Sequence, residues 1–288
     1  MKFGIREICD VVLRAKANDT KVGNKVFKEH APVIYFDSLK TSSMEGQATT
    51  VYAQGGRGNS RLIAWEGERT VTFTMEDALI SEMGLAVLTG AGLIDAGKGA
   101  DAITVHTTTR KAFNGQTANS FSIDEVISTV GPIYAIELDA KDNVLGTYDS
   151  VDNTTLKATP LTEKTGTQIA YTPKNEATKV VLFDFYVLKE AGLTQIEITP
   201  DKFGGNYYLE ASTLFRGTDG VDHPAEFVIP NCKVQSNFTF SMASSGDPST
   251  FTFTMDAFPD YTKFDQTKKV LFAIQIISDE SAPIADEV

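Results

Sequence analysis

In the stretch TVTFTMEDA at residues 70–78, apolar and hydroxyl side chains alternate strictly. Successive side chains of a β-strand point to opposite faces, so Val71, Phe73 and Met75 share one face and the threonines share the other. A strand with one apolar and one hydroxyl-rich face is typical of an antiparallel sheet that buries one side. The sequence therefore predicts a mainly β protein.

A second stretch, TFTFTMDA at residues 250–257, repeats this pattern. The similarity fits a duplicated half of a barrel, and it fits equally well two unrelated strands of one antiparallel sheet. Both interpretations stay open at the level of the sequence.

A glycine-rich segment, GGRGN at residues 55–59, precedes the first of these strands. Glycine is unfavourable inside a strand, so the segment is predicted to be the tip of a long hairpin that returns through residues 61–65. The tip is basic within an acidic chain, and a long hairpin is stable only when its faces are covered. We therefore predict that it docks on a neighbouring acidic subunit; the alternative is an ordinary hairpin tip with exposed arginines. The predicted contact residues are Gly55, Gly56, Arg57, Gly58, Asn59 and Arg61.

Two segments show a helical period. Residues 76–88 place apolar side chains on one face and are followed by Gly90, which predicts one packed α-helix that ends there. Residues 5–17 place apolar side chains at helical spacing, which predicts a short amphipathic helix. Its apolar face consists of Ile5, Ile8, Cys9, Val12 and Leu13.

In the last third of the chain, apolar and polar side chains alternate as they do at residues 70–78. Strands are predicted at 207–216, at 234–242, at 250–256 and at 270–277, with a turn at 244–248 between the second and third. Each strand carries one apolar face and one polar face, which indicates a half-buried antiparallel sheet.

The middle of the chain, residues 101–194, is predicted to be a separate β module. Its short strands recur about every 8–12 residues between turn signals, which is typical of a small immunoglobulin-like sandwich. The predicted organisation is therefore a discontinuous domain, 1–100 with 195–288, that carries an inserted sandwich at 101–194.

Charge and composition exclude several classes of protein. The 288 residues include 26 basic and 38 acidic side chains, a net charge of −12. Such a chain is unsuited to wrapping nucleic acid or to docking on anionic lipid, since both need clustered Lys and Arg. Acids at Glu7 and Asp10 interrupt any signal-peptide core, and no apolar run reaches the length of a membrane span. The protein is expected to be made and kept in a cytoplasm.

The sequence shows no catalytic or metal-binding motif. Its three histidines are isolated, and HExxH, GxSxG and CxxC patterns are missing. Residues 92–98 match GxxxxGK, but Gly99 stands where the phosphate loop needs Ser or Thr. We predict a protein that is not an enzyme and that has no cofactor and no metal.

Read together, these segments resemble a bacteriophage tail tube (major tail) protein. The resemblance rests on residues 50–79 and on residues 198–251, and it extends over about the two outer thirds of the chain. It implies an antiparallel β-sandwich or barrel with one packed α-helix and long hairpins. It further implies hexameric rings whose hairpins form a continuous inner barrel, stacked into the conduit for genome ejection.

The resemblance also implies where the lumen and the partners are. Hydroxyl and amide side chains of the two predicted hairpins would face the lumen; these are Thr50, Thr70, Thr72, Gln235, Asn237, Thr239, Thr252 and Thr254. The partners would be copies of the chain itself, with tail sheath, tape measure and baseplate proteins as further contacts. DNA would pass through without specific binding, no membrane would be bound, and the protein would belong to a virion tail assembled in the host bacterial cytoplasm.

Two other functions remain open from the sequence. A capsid or head decoration protein also uses β-sandwiches, and a surface module such as 101–194 suits one. A carbohydrate-binding or hydrolytic β-sandwich is the third hypothesis, and it would require convergent polar residues in a pocket.

Overall fold

The computed structural model describes residues 2–5, 7–115, 120–123, 128, 133–151, 167–218, 220–240, 244–245 and 250–277. Contacts between Cα atoms divide the chain into two compact units. Unit 1 comprises Met1–Ile94 and Ile196–Val288, and unit 2 comprises Asp95–Gln195. The assignment of the middle region as an independent domain stays a prediction.

The described residues are mainly β, as the sequence predicts. The first part of the chain forms the strands β1 (Phe3–Ile5), β2 (Asp10–Ala15), β3 (Thr20–Val22), β4 (Lys25–Phe27), β5 (Pro32–Phe36), β6 (Leu39–Gly55), β7 (Ser60–Asp77) and β8 (Gly92–Asp95). The helix α1 (Glu82–Thr89) lies between β7 and β8. The strands of unit 2 are β9 (Ile103–Ala112), β10 (Ser120–Ile123), β11 (Ile133–Leu138), β12 (Val144–Val151), β13 (Thr167–Ala170) and β14 (Val180–Lys189). The chain continues with β15 (Thr194–Glu197), β16 (Asn206–Gly217), β17 (Asp222–Val234), β18 (Phe251–Ala257) and β19 (Ala273–Ile276).

Unit 1 is built on one antiparallel sheet with the order β5-β2-β16-β17-β18-β7-β6. Two short strands extend it, because β1 pairs with β16 and β19 pairs with β17. One face of this sheet and the helix α1 enclose the core, whose fully buried members include Leu13, Met75, Val87 and Leu209. The alternation of apolar and hydroxyl side chains at residues 70–78 therefore determines which face of the sheet is buried.

The two similar stretches are neighbours in this sheet. Strands β7 and β18 pair antiparallel, with Thr74 opposite Thr254 and Met75 opposite Phe253. Residues that oppose one another in an antiparallel pair share a face, so both strands need the same alternation to bury one side. The shared environment accounts for the repeated pattern.

The predicted amphipathic helix at residues 5–17 is wrong. The segment forms β1 and β2, and β2 pairs with β16 on one side and with β5 on the other. Val11, Leu13 and Ala15 are completely buried, with Val12 and Arg14 between them only partly so, which is a period of two. Residues spaced by four also share a strand face, so the apolar spacing alone did not distinguish the two structures.

The helix α1 is present, but it begins later than predicted. Strand β7 continues through Asp77, whose buried carboxylate accepts hydrogen bonds from the Ser38 hydroxyl (2.5 Å) and the Leu79 N–H (3.2 Å). The helix then starts after Ser81, whose Oγ accepts from the Gly84 N–H at 2.9 Å. It ends at Gly90 as predicted, in a left-handed conformation with φ 70°. Glycine is required there, because a Cβ would lie 2.3 Å from the Phe203 carbonyl oxygen.

No helix in the described part of the chain is long and apolar enough to cross a membrane.

The strand predicted at residues 234–242 is also wrong for the part that is described. Strand β17 ends at Val234, and residues 235–240 form no strand. The Gln235 N–H still bonds the Thr254 carbonyl at 2.8 Å, and beyond it the rings of Phe238 and Phe240 pack on each other. Alternating aromatic side chains can thus meet on one side without a backbone ladder. Part of the predicted turn at 244–248 lies outside the described residues, and the final predicted strand shortens to β19.

The described residues of unit 2 form two sheets. Four strands pair in the order β12-β11-β14-β9, and β10 pairs with β13. Side chains from both sheets form one apolar cluster, in which Phe121 and Ile169 of the small sheet meet side chains of the larger one. The rings of Phe121 and Phe183 stand edge to face at 4.9 Å.

A buried carboxylate organises one loop of unit 2. Glu137 on β11 is fully buried and accepts four hydrogen bonds from neutral donors. These are the Tyr171 hydroxyl (2.7 Å), the Lys174 and Asn175 N–H groups (2.6 and 3.0 Å) and the Thr178 hydroxyl (2.8 Å). Burial alone would raise the pKa of Glu137, but the hydrogen bonds outweigh it and hold the pKa below its usual range.

We predict that Glu137→Gln destabilises the protein by about 1–3 kcal/mol near neutral pH, because an amide cannot accept from all four donors. The folded-state pKa lies below the unfolded one, so the carboxylate stabilises the fold above the unfolded pKa of about 4.3. That contribution is lost as the pH falls through the folded pKa. The difference between wild type and variant in chemical denaturation should therefore be full at pH 7 and shrink in acid.

Glu176→Gln is the matched control, because Glu176 is exposed on the same loop. Equal stability of the Glu137→Gln variant and this control at pH 7 would contradict the role assigned to Glu137.

Candidate assembly interface

The most unusual feature of unit 1 is the hairpin of β6 and β7. Its base is part of the sheet, where Met44 opposes Phe73 and Phe73 is almost fully buried. Beyond the pair Gln47–Thr70 nearly every residue is exposed. We call residues 47–70 the arm. Nine residues of extended chain run from Gln47 to Gly55, so the arm projects about 30 Å at about 3.3 Å per residue.

The arm contains two β-bulges. The pairing shifts between Ala48 and Thr50 and again between Ala53 and Gln54, and each time β7 supplies the extra residue. Gly67 lies at the first bulge, where a Cβ would come within 2.4 Å of the Thr49 hydroxyl oxygen. Bulges twist a hairpin and interrupt its ladder, which disfavours uncontrolled pairing along the exposed edge.

One face of the arm is apolar. Val51 opposes Trp65 and Ala53 opposes Ile63, so these four side chains form one stripe. Val51, Ile63 and Trp65 are 61%, 55% and 53% exposed. We call these four residues the apolar stripe. Exposed apolar clusters of this kind mark surfaces that bind another molecule.

The tip of the arm contains the residues that the sequence predicts to contact a neighbouring subunit. Gly56 and Gly58 have φ of 79° and 86°, and Asn59 has φ of 48°, as a tight turn requires. The Asn59 N–H bonds the Gly56 carbonyl at 3.2 Å, which closes the turn. Gly55 and Arg61 flank it at the ends of the two strands, and the Arg61 guanidinium lies 4.1 Å from the centre of the Tyr52 ring.

The charges of the arm are distributed unevenly. Between residues 46 and 65 the only charged side chains are Arg57 and Arg61, in a chain of net charge −12. Both are exposed at the tip. The role of the tip in subunit contact remains a prediction.

Part of the second group of predicted residues lies on the sheet face opposite the core. Thr72 on β7 and Thr252 and Thr254 on β18 stand on its hydroxyl-rich side. Asp256 links the strands there, because it accepts from the Thr72 hydroxyl at 3.2 Å and from the Gln235 amide at 2.9 Å. We call this surface the hydroxyl face.

Five of the predicted lumen residues line one cavity of about 250 Å³ beside this face. They are Gln235, Asn237, Thr239, Thr252 and Thr254. The structure thus brings Gln235, Asn237 and Thr239 of an irregular segment close to Thr252 and Thr254 of β18. The sequence predicts a strand for both segments. Thr70 follows along β7 at the start of the arm, and Thr50 lies farther out, opposite Glu66. Whether any of them faces a lumen stays a prediction.

The hydroxyl face is acidic. In register on it are the carboxylates of Glu45, Glu76 and Asp256, and the side chain of Lys233 opposes Asp256 from β17. The sequence alone left open where the acidic charge is located. Part of it lies on this face.

The apolar stripe was missed by the sequence analysis, which drew attention to the glycines and arginines of the tip. A signal was present, because Val51 and Ala53 alternate on one strand and Ile63 and Trp65 on the other. The alternation does not reveal that the two pairs share a face, since the bulge at Gly67 decides it.

Within the described ranges, no group of three His, Cys, Asp or Glu side chains is placed to hold a metal ion. The two cysteines, Cys9 and Cys232, are buried free thiols. Burial raises the pKa of the Cys232 thiol to about 12, so this group is unreactive near neutral pH.

Comparison with protein-family models matches residues 3–271 to the YomU/Tube protein family. A search of curated proteins finds no match.

We predict that Arg57→Gln with Arg61→Gln weakens self-association without lowering the melting temperature, because both side chains are exposed and far from the core. Charged contacts at the rim of an interface contribute about 0.2–1 kcal/mol each, so the concentration needed for association should rise several-fold. Sedimentation velocity at low and at high salt measures the effect, and the difference should shrink in high salt.

Arg69→Gln serves as the control, because Arg69 lies at the start of the arm and pairs with Glu66 at 3.7 Å. Association of the double variant at wild-type concentrations in low salt would contradict the docking role of the tip.

Proposed function

The chain belongs to the YomU/Tube protein family, and from this premise we propose that it is a structural subunit of a bacteriophage tail tube. In this proposal the subunits form hexameric rings, the rings stack, and the resulting tube is the conduit through which the genome leaves the virion. The work of such a protein is assembly rather than catalysis.

The observation that carries the proposal is the arm. A two-stranded hairpin that projects about 30 Å with an apolar stripe is marginally stable by itself, since isolated hairpins do not bury enough surface. Its exposed apolar side chains are stabilised when another subunit covers them. A protein that presents such a hairpin from a well-packed sheet is suited to repeated contacts between identical copies.

The hydroxyl face supports the assignment of the lumen. Its threonines tolerate contact with water, and its carboxylates outnumber the single lysine in register with them. A wall of this composition repels phosphate groups rather than binding them. We therefore assign the lumen to the hydroxyl face and the subunit contact to the arm.

The remaining partners follow from this assignment. Ring faces at the ends of the tube would contact baseplate proteins, a tape measure protein would occupy the lumen before ejection, and a sheath would surround the tube in a contractile tail. Unit 2 is not required for the wall in this proposal, and a sheath contact or surface decoration is its proposed role. The protein would act in the virion tail after assembly in the host cytoplasm.

Negative-stain electron microscopy of the concentrated protein tests the proposal directly. Rings or tubes with a central hole are expected, and class averages of the rings should show six-fold symmetry. Discrete monomers at all concentrations would contradict the assembly, and a different symmetry would contradict the hexamer.

A charge reversal tests the lumen. We predict that tubes of Glu45→Lys retain double-stranded DNA at low salt, while wild-type tubes do not, because each ring gains positive charge on its inner surface. Retention should disappear as the salt concentration rises, since phosphate contacts are screened and compete with counterions. Co-sedimentation of labelled DNA with tubes measures it.

Glu176→Lys is the matched control, because it makes the same change of net charge on the exposed loop of unit 2. Equal retention by both variants would show that net charge, and not the hydroxyl face, governs the interaction with DNA.

A further inference from the structure

A second feature of unit 1 complements the apolar stripe. An open groove of about 350 Å³ lies between the base of the β6–β7 hairpin and strand β19. Its walls are mainly apolar and include Met44, Phe73, Phe227, Phe272 and Ile274. We call it the base groove. Its volume falls within the range of about 300–1,000 Å³ that is typical of binding pockets.

The base groove lies where the sheet divides. Strand β17 pairs with two strands at different points: its residues 232–234 pair with β18, and its residues 225–228 pair with β19. Strand β18 in turn pairs with β7. Strand β19 and the hairpin base are therefore on either side of a gap. The apolar wall continues onto exposed surface, since Ile5 is 65% and Ile274 46% exposed.

We propose that the base groove receives the apolar stripe of a second copy of this chain. This inference rests on the proposed function, because it identifies the surface that the arm contacts in the tube. Trp65 and Ile63 enter the groove and contact Phe227 and Phe272, and Val51 packs on the rim at Ile274.

The occupant must come from another copy. The base groove is lined by Ser42, Met44 and Gly46, which belong to the same strand that continues into the arm. From Gly46 to Val51 the extended chain covers about 17 Å, directed away from the groove. The arm cannot return to its own base without breaking the pairing that forms it.

The chemistry of the two surfaces matches. The stripe presents one aromatic and two branched apolar side chains, and the groove presents three phenylalanines at its floor and wall. Glu7 is the charged residue of the lining, and the four residues of the stripe carry no charge. A buried aromatic anchor in a pocket with a polar rim is the usual arrangement of residues that dominate a protein interface.

The two surfaces also have the right relation for ordered assembly. Stripe and groove are different patches of one molecule, so their contact is head-to-tail. Such a contact closes into a ring when the rotation permits and otherwise continues as a helix. A helix extends into a tube through this one contact, whereas closed rings need a second contact between rings in order to stack.

Gly46 allows the groove to be filled without disturbing the fold. It lines the groove, and a Cβ at this position would meet nothing within 4 Å. We expect Gly46→Phe to raise the concentration needed for assembly about tenfold or more, as loss of a central interface contact does. Gly46→Ala is the matched control, because it changes the backbone in the same way and leaves the groove open. Ile274→Glu is a second variant that places a charge at the exposed rim.

Trp65 provides a direct reporter, since it is the only tryptophan of the chain. It is half exposed in the single subunit, so its fluorescence maximum should shift to shorter wavelength when wild-type protein assembles. At concentrations at which the wild type assembles, the Gly46→Phe and Ile274→Glu variants, with melting temperatures near the wild type, should show neither assembly nor the shift. Gly46→Ala should show both.

The outcomes separate the two proposals. Wild-type assembly with an unchanged Trp65 spectrum would place another segment in the groove and overturn this inference, while the proposed function stands. Assembly of Gly46→Phe and Ile274→Glu at wild-type concentrations would overturn it in the same way. Failure of the wild type to assemble under any condition would overturn both.

Discussion

The structure of unit 1 depends on one constraint, the burial of one face of strand β7 over only part of its length. Val71, Phe73 and Met75 are almost fully buried, and β7 is paired on both sides there, with β18 and with β6. Removing a buried ring such as that of Phe73 would cost about 3–5 kcal/mol. This buried segment anchors the hairpin in the sheet, while the rest of the same two strands is exposed. The core and the proposed interface are therefore parts of one hairpin.

The partial burial explains why three surfaces of different character lie close together. The buried side of β7 contributes Phe73 to the wall of the base groove, and the opposite side carries the threonines of the hydroxyl face. Beyond the core, the extra residue near Gly67 changes the pairing, so that Trp65 opposes Val51 rather than Tyr52. Without that bulge, the apolar residues of the two strands would lie on different faces. The apolar stripe exists because of this local irregularity.

The errors of the sequence interpretation have a common physical cause. At residues 5–17 the apolar side chains fit a helical spacing, while Cys9, Val11, Leu13 and Ala15 also alternate as in a strand. The deciding fact was that β16 and β5 offer pairing partners on both sides. At residues 234–242 the alternation was correct, but among the described residues the strand pairing with β18 ends at Val234. The start of α1 moved for the same reason, because pairing with β18 keeps the chain extended through Asp77. A local pattern indicates which secondary structures a segment can adopt, and pairing with neighbouring strands determines which of them forms.

Local sequence patterns were sufficient to predict the mainly β class, the hairpin with its glycine tip and the end of the helix at Gly90. These features depend on alternation and on backbone conformations that few residues adopt, and both are local properties. Tertiary structure alone decided that the two similar stretches are neighbours, that Glu137 collects four donors, and that the apolar stripe and the base groove are separate patches. Each of these depends on which distant strands pair and in which register, and a shift of one residue would exchange the faces of a strand without changing its local pattern.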